Sequence, residues 1–125
     1  RMEIYKRLSS ISVEEEIDEI AAELIDRFGS LPKEVETLID TISLKNLCKK
    51  TNIEKIDCGK SGFLISFKNN TFSNPTELVK YININKSYIS IRPDQRLFVK
   101  LRQEKDNIID YIKSVVMDFV KMIEN

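Results

Sequence analysis

Cys48 and Cys58 are the only thiols in the 125 residues, and there is no histidine at all. Two cysteines outside a CxxC pair cannot close a tetrahedral zinc site, and no histidine is available to complete one. The absence of histidine also removes Ser-His and Cys-His nucleophile pairs and the commonest general base near neutral pH. Neither GxxxxGK[ST] nor GxGxxG occurs, and only three glycines are present. A site built from Lys, Asp and Tyr stays formally open, but no spacing marks one. The chain taken alone is therefore expected to be no enzyme, to carry no cofactor or metal, and to leave ATP unbound. The two thiols are expected to stay reduced and unbridged.

The other residues whose spacing could do work are carboxylates. Ser12 to Asp40 holds ten acids against Arg27 and Lys33, a net charge of −8, and the rest of the chain carries +8. At about 100° per residue, Ile17, Ile20, Ala21, Leu24, Ile25 and Phe28 gather on one helical face. Glu15, Glu19, Glu23 and Asp26 fall on the opposite face. Glu23 and Asp26 are neighbours at i, i+3, with no cation evident beside them, a pattern suited to docking arginines. The same pattern also describes a solvated polar face, with acids in the first turn complementing the helix dipole.

The basic excess admits nucleic acid as a partner. Lys45, Lys49, Lys50, Lys55, Lys60 and Lys68 are scattered, while Arg92, Arg96, Lys100, Arg102 and Lys105 are denser, with Tyr88 and Phe98 among them. A nucleic-acid face would need these on one surface with exposed rings for stacking. The aromatic residues here fall at strand positions expected to point inward, and the chain is neutral overall.

The elements that must position these residues follow from periodicity. Met2–Ser9 reads as a short helix. Ser12 and Glu15 form an S-x-x-E capping box, so a helix is expected over about Val13–Phe28, closed by Gly29 in a left-handed conformation. Ser30-Leu31-Pro32 is a tight link, with Pro32 at the first turn of the next helix. Gly29 and Pro32 are thus assigned as structural turn residues. Val35, Leu38, Ile39, Ile42 and Leu47 carry the next helix to about Lys50, giving an αα-hairpin. The period then changes to two. Ile53–Cys58 and Phe63–Phe67 read as a hairpin whose turn holds two glycines for positive φ. Asn74-Pro75 opens a helix with Leu78, Val79 and Ile82 inward. Tyr88–Ile91 and Arg96–Leu101 form a second hairpin. A long final helix starts near Asp106, with Ile108, Ile109, Ile112, Val116, Phe119 and Ile123 as its stripe. The expected class is α+β: an N-terminal helical hairpin, a small mainly antiparallel sheet of two hairpins, and a long C-terminal helix.

The length suits one domain over residues 1–125, large enough to bury its own core. No signal peptide and no run of eighteen apolar residues appears, so a cytoplasmic setting is expected. Arg1 in place of an initiator Met suggests a piece of something longer.

The stretch ELIDRFGSLPKEVETLI, Glu23 to Ile39, is distinctive. With YKRLSS (Tyr5 to Ser10), SLKNLC (Ser43 to Cys48), IEKIDCGKSGFLISF (Ile53 to Phe67) and NPTELVKYI (Asn74 to Ile82), it resembles the C-terminal domain of the bacterial transcription-repair coupling factor. The resemblance spans nearly the whole chain and is carried by pattern more than identity after Asn83. It implies a cytoplasmic, ATP-driven DNA translocase of the helicase type as parent. That parent removes RNA polymerase stalled at DNA lesions and recruits excision repair through UvrA. Its motor and polymerase-binding modules would lie upstream of Arg1. The C-terminal domain would act as a clasp on an N-terminal module resembling UvrB, masking the UvrA-docking surface. In the family the Glu and Asp of ELIDRFG face arginines of that module, which implies such a role for Glu23 and Asp26. Glu19, one turn earlier on the same face, joins them as a candidate. The alternative is an accessory nucleic-acid-binding domain of the same parent.

Overall fold

The computed structural model describes residues 14–102 and 107–124. The helix expected over Met2–Ser9, the Ser12 cap and the starting points at Val13 and Asp106 lie outside them. Four helices and four strands are described: α1 (Glu14–Phe28), α2 (Lys33–Lys50), β1 (Ile53–Cys58), β2 (Gly62–Phe67), α3 (Pro75–Ile84), β3 (Ile89–Ile91), β4 (Leu97–Lys100) and α4 (Ile108–Glu124). This is the α+β arrangement read from the sequence. Contacts divide the chain into two compact units, one ending at Asn46 and one starting at Leu47.

In the first unit, α1 and α2 form the expected hairpin. Ile17, Ile20 and Leu24 are buried against Leu31 of the link and Val35, Leu38, Ile39 and Ile42 of α2. Gly29 ends α1 at φ +78°, and its N–H donates to the Ile25 carbonyl at 2.8 Å. The Pro32 carbonyl accepts from the Val35 and Glu36 N–H groups at 3.0 and 3.1 Å, starting α2. A Cβ on Gly29 would meet nothing within 4 Å, so a larger residue costs backbone conformation alone. Gly29→Val is expected to destabilise the chain by about 1–2 kcal/mol, because a β-branched residue tolerates positive φ poorly. A denaturation midpoint equal to the parent's would show that the turn closes in another way.

In the second unit the strands form one antiparallel sheet in the order β1-β2-β4-β3. Phe63, Ile65 and Phe67 alternate inward along β2, and Leu97 and Val99 do so along β4. This face receives the apolar stripe of α4, where Ile112, Val115, Val116, Phe119, Val120 and Met122 are buried. Phe119 joins Phe67 and Phe72 in an aromatic cluster, with ring centroids 5.4–5.9 Å apart. Buried Phe72 lies between elements, where no periodicity could mark it. Asn74 caps α3: its Oδ1 accepts from the Glu77 N–H, and its Nδ2 donates to the Met122 carbonyl at 3.0 Å, tying α3 to α4.

Some expectations change. Val79 is 55% exposed rather than inward. Neither hairpin glycine takes positive φ; in the second hairpin turn Gln95 does, at +71°. Asn52, Asn69 and Asn70 adopt positive φ where helix and strand end, a conformation asparagine tolerates better than most residues.

Candidate protein-interaction site

The hydrophobic stripe of α1 fixes which way its carboxylates face. With Ile17, Ile20 and Leu24 buried, Glu19 and Asp26 are exposed and Glu23 is half-buried. The described residues thus place Glu19, Glu23 and Asp26 away from the buried stripe. The expectation that no cation stands beside them is corrected. Arg27 lies one turn after Glu23, with Nη2 3.7 Å from Oε1. Both groups reach solvent, so the pair is worth about 0.3–0.5 kcal/mol and can be exchanged for an external partner. The i, i+4 spacing of Glu23 and Arg27 was the signal that could have found it.

The apolar face is also narrower than the wheel implied. Ile25 is 50% exposed and Phe28 64% exposed. The end of α1 therefore leaves apolar area open at Ile25 and Phe28, on the side opposite the carboxylates. The carboxylate side, with Asp26 and the Glu23–Arg27 pair, can accept a partner that brings arginines. Gly29 and Pro32, in the turn that follows, hold the end of this helix in place through backbone geometry and contribute no side-chain polar group.

Three of the dense basic residues of the second unit, Arg92, Arg96 and Arg102, are already engaged within it. Arg92 Cζ lies 4.8 Å from the Phe98 ring centroid, and Arg102 Cζ lies 3.8 Å from that of Tyr88. Arg96 donates through Nε to Asp94 Oδ2 at 2.7 Å, and its backbone and side-chain N–H groups hold the Asp94 carboxyl below the usual range. Lys105 lies outside the described residues. Phe98 and Tyr88 are half-buried rather than turned fully inward, each with a guanidinium over a ring face. A stack of nucleobases would have to displace those guanidiniums.

Cys48 is half-buried at the end of α2 and Cys58 is exposed at the end of β1; both are free thiols. Burial pushes the Cys48 thiol up to about 11, so little of the reactive thiolate forms at pH 8. Alkylation of the native chain is expected to modify Cys58 well before Cys48. Equal rates, or a mass deficit of two hydrogens before reduction, would contradict this arrangement. Among the described residues no group of three or more His, Cys, Asp or Glu is placed to hold a metal ion. No helix among them is long and apolar enough to cross a membrane.

Comparison with known proteins places this geometry. The sequence model of the TRCF domain family matches residues 1–78, which include α1, the turn and α2. The transcription-repair-coupling factor of Rickettsia conorii is 34% identical over 111 residues, covering 88% of this chain and 10% of the relative. That of Escherichia coli is 30% identical over 119 residues, covering 94% of this chain and 10% of the relative. The chain thus spans about a tenth of the length of these relatives. The crystal structure of the C-terminal domain of a transcription-repair coupling factor superposes with a TM-score of 0.73 at 21% identity, covering 98% of this chain and 80% of that one. The likeness in fold covers 98% of the chain, and the family model spans the acidic helix. The chain belongs to the TRCF domain family.

Proposed function

We propose that this chain is the non-catalytic C-terminal regulatory domain of a longer, cytoplasmic transcription-repair-coupling factor, an ATP-dependent DNA translocase acting in nucleotide excision repair. In this reading it packs on the parent's UvrB-like N-terminal module, masks the UvrA-docking surface, and releases it once RNA polymerase is engaged. Glu23 and Asp26 meet arginines of that module, and Glu19 lies at the edge of the contact. RNA polymerase and UvrA are indirect partners, and DNA is held by the parent's motor. The chain itself uses no cofactor.

The observation that carries the reading is the family match over a helix that turns Glu19 and Asp26 to solvent and keeps Glu23 on the same side, away from the buried stripe. Charged pairs across such a contact steer association and weaken as salt screens them. The 125-residue chain and the separately expressed UvrB-like module of its parent are therefore expected to co-elute at low salt and to separate as salt rises. Two folded proteins that never co-elute would end the clasp reading. Salt-dependent retention on duplex DNA, with no binding to the module, would support the accessory nucleic-acid alternative instead.

A further inference from the structure

The sequence has four tyrosines and no tryptophan. Three of the tyrosines, Tyr81, Tyr88 and Tyr111, line one cleft of about 510 Å³ in the second unit, together with Arg102, Asp110 and Asp118. Each ring is held by the surrounding structure. Tyr81 meets Phe119 edge to face at 5.8 Å, and Tyr111 meets Phe63 likewise at 5.7 Å. The Tyr81 hydroxyl donates to Asp118 Oδ2 at 2.8 Å, the Tyr111 hydroxyl donates to the Lys100 carbonyl at 3.1 Å, and the Tyr88 hydroxyl donates to Asn85 Oδ1. Burial first, and then the bond to Asp118, push the Tyr81 hydroxyl far above the ordinary tyrosine range, so it stays a donor.

We propose that this cleft receives an arginine side chain presented by a protein partner, its guanidinium seated on tyrosine rings and paired with Asp110 and Asp118. The sign of the site supports a cation. Two carboxylates against one guanidinium leave a formal charge of −1, which repels phosphate. The rings favour a planar cation over an ammonium ion, because a guanidinium stacks and also donates in the plane to carboxylates. The chain itself supplies an instance: the Arg102 guanidinium already lies 3.8 Å from the Tyr88 centroid. With rings locked by the core, little ordering is left to be done on binding. The inference concerns residues after Leu47 and rests on nothing proposed for Glu23 and Asp26.

The test titrates the 125-residue chain with acetyl-Gly-Arg-Gly-amide, read by tyrosine fluorescence and by the amide resonances of Tyr81, Tyr88 and Tyr111. The control peptide carries citrulline, which keeps the shape and loses the charge. Saturable millimolar binding is expected for arginine, with citrulline about tenfold weaker. Asp110→Asn is expected to weaken arginine binding by about three- to tenfold. Arg102→Gln is expected to tighten it, because a like charge leaves and the Tyr88 face opens. Both residues are exposed, so both variants should keep the unsubstituted chain's amide spectrum outside the cleft. No arginine binding, equal binding of citrulline, or weakening in Arg102→Gln would each overturn the proposal. An oligothymidylate that shifts the same tyrosines and is lost in Arg102→Gln would assign the cleft to nucleic acid and overturn it equally.

Discussion

Reversing both carboxylates of the proposed clasp, E23R with D26R, is expected to raise the basal ATPase of the proposed full-length parent and its access to UvrA, while the isolated chain keeps its stability. Within the chain the change removes the exposed Glu23–Arg27 pair and sets two like charges at i, i+4, each effect being about 0.3–0.5 kcal/mol. Two arginines in the last turns of a helix gain from its dipole by a similar amount. The net change in the isolated chain is therefore expected to stay within about 0.5 kcal/mol. Across the proposed contact nothing offsets the loss. Charge-assisted bonds to the partner's arginines vanish and repulsion replaces them, at about 2–5 kcal/mol for a desolvated contact and less for a wet rim. Deleting the whole domain should give the same activation more strongly. If deletion activates and the double reversal does not, the clasp stands but Glu23 and Asp26 are not its anchors. If neither activates, the autoinhibitory reading is wrong.

Gly62→Val is expected to be the most damaging single change to the fold. Gly62 opens β2 opposite Lys100 of β4, and a Cβ there would lie 2.1 Å from the Val99 carbonyl oxygen and 3.0 Å from both Lys100 Cα and Phe98 Cζ. Two of these three atoms are backbone of the central strand pair, so the clash cannot be relieved by a rotamer change. The strands must separate, and the loss is expected to be about 3 kcal/mol or more. Gly59, three residues earlier in the same turn, has its nearest such neighbour at 3.7 Å and no positive φ. Gly59→Ala is the matched control and is expected to change stability by no more than about 0.5 kcal/mol. Urea midpoints that fall equally for the two variants would show that the close approach at Gly62 is not what sets the cost.

The contrast between these glycines shows what could be read in advance. Gly29 follows a complete helical stripe, so its left-handed role is local and was legible from its neighbours. The role of Gly62 depends on a strand nearly forty residues later, and the hairpin turn suggested the wrong reason for it. Periodicity located α1 and α3 well, yet placed Ile25, Phe28 and Val79 inside. An apolar stripe tells which side of a helix is inward; it does not tell how far the neighbouring element extends to cover it. Phe72, in no regular element, gave no pattern at all. At the candidate site the facing of Glu19, Glu23 and Asp26 was legible because it is the complement of Ile17, Ile20 and Leu24. The pairing with Arg27 was present in the spacing but was overlooked, and the guanidiniums over Phe98 and Tyr88 depend on turns whose geometry no propensity sets.

The strand order β1-β2-β4-β3 also bears on how fast the chain can fold. β1 with β2, and β3 with β4, are joined by short turns and can zip locally. The β2–β4 ladder joins the two hairpins and pairs Gly62 with Lys100. Before that ladder forms, the intervening loop must be closed with little enthalpy in return. Non-local pairings of this kind raise contact order and slow folding without requiring any loss of final stability. The two hairpins are thus expected to form early and their docking to limit the rate. Substitutions that weaken either turn or the β2–β4 ladder would then slow refolding, while changes in parts that form after docking would mainly hasten unfolding.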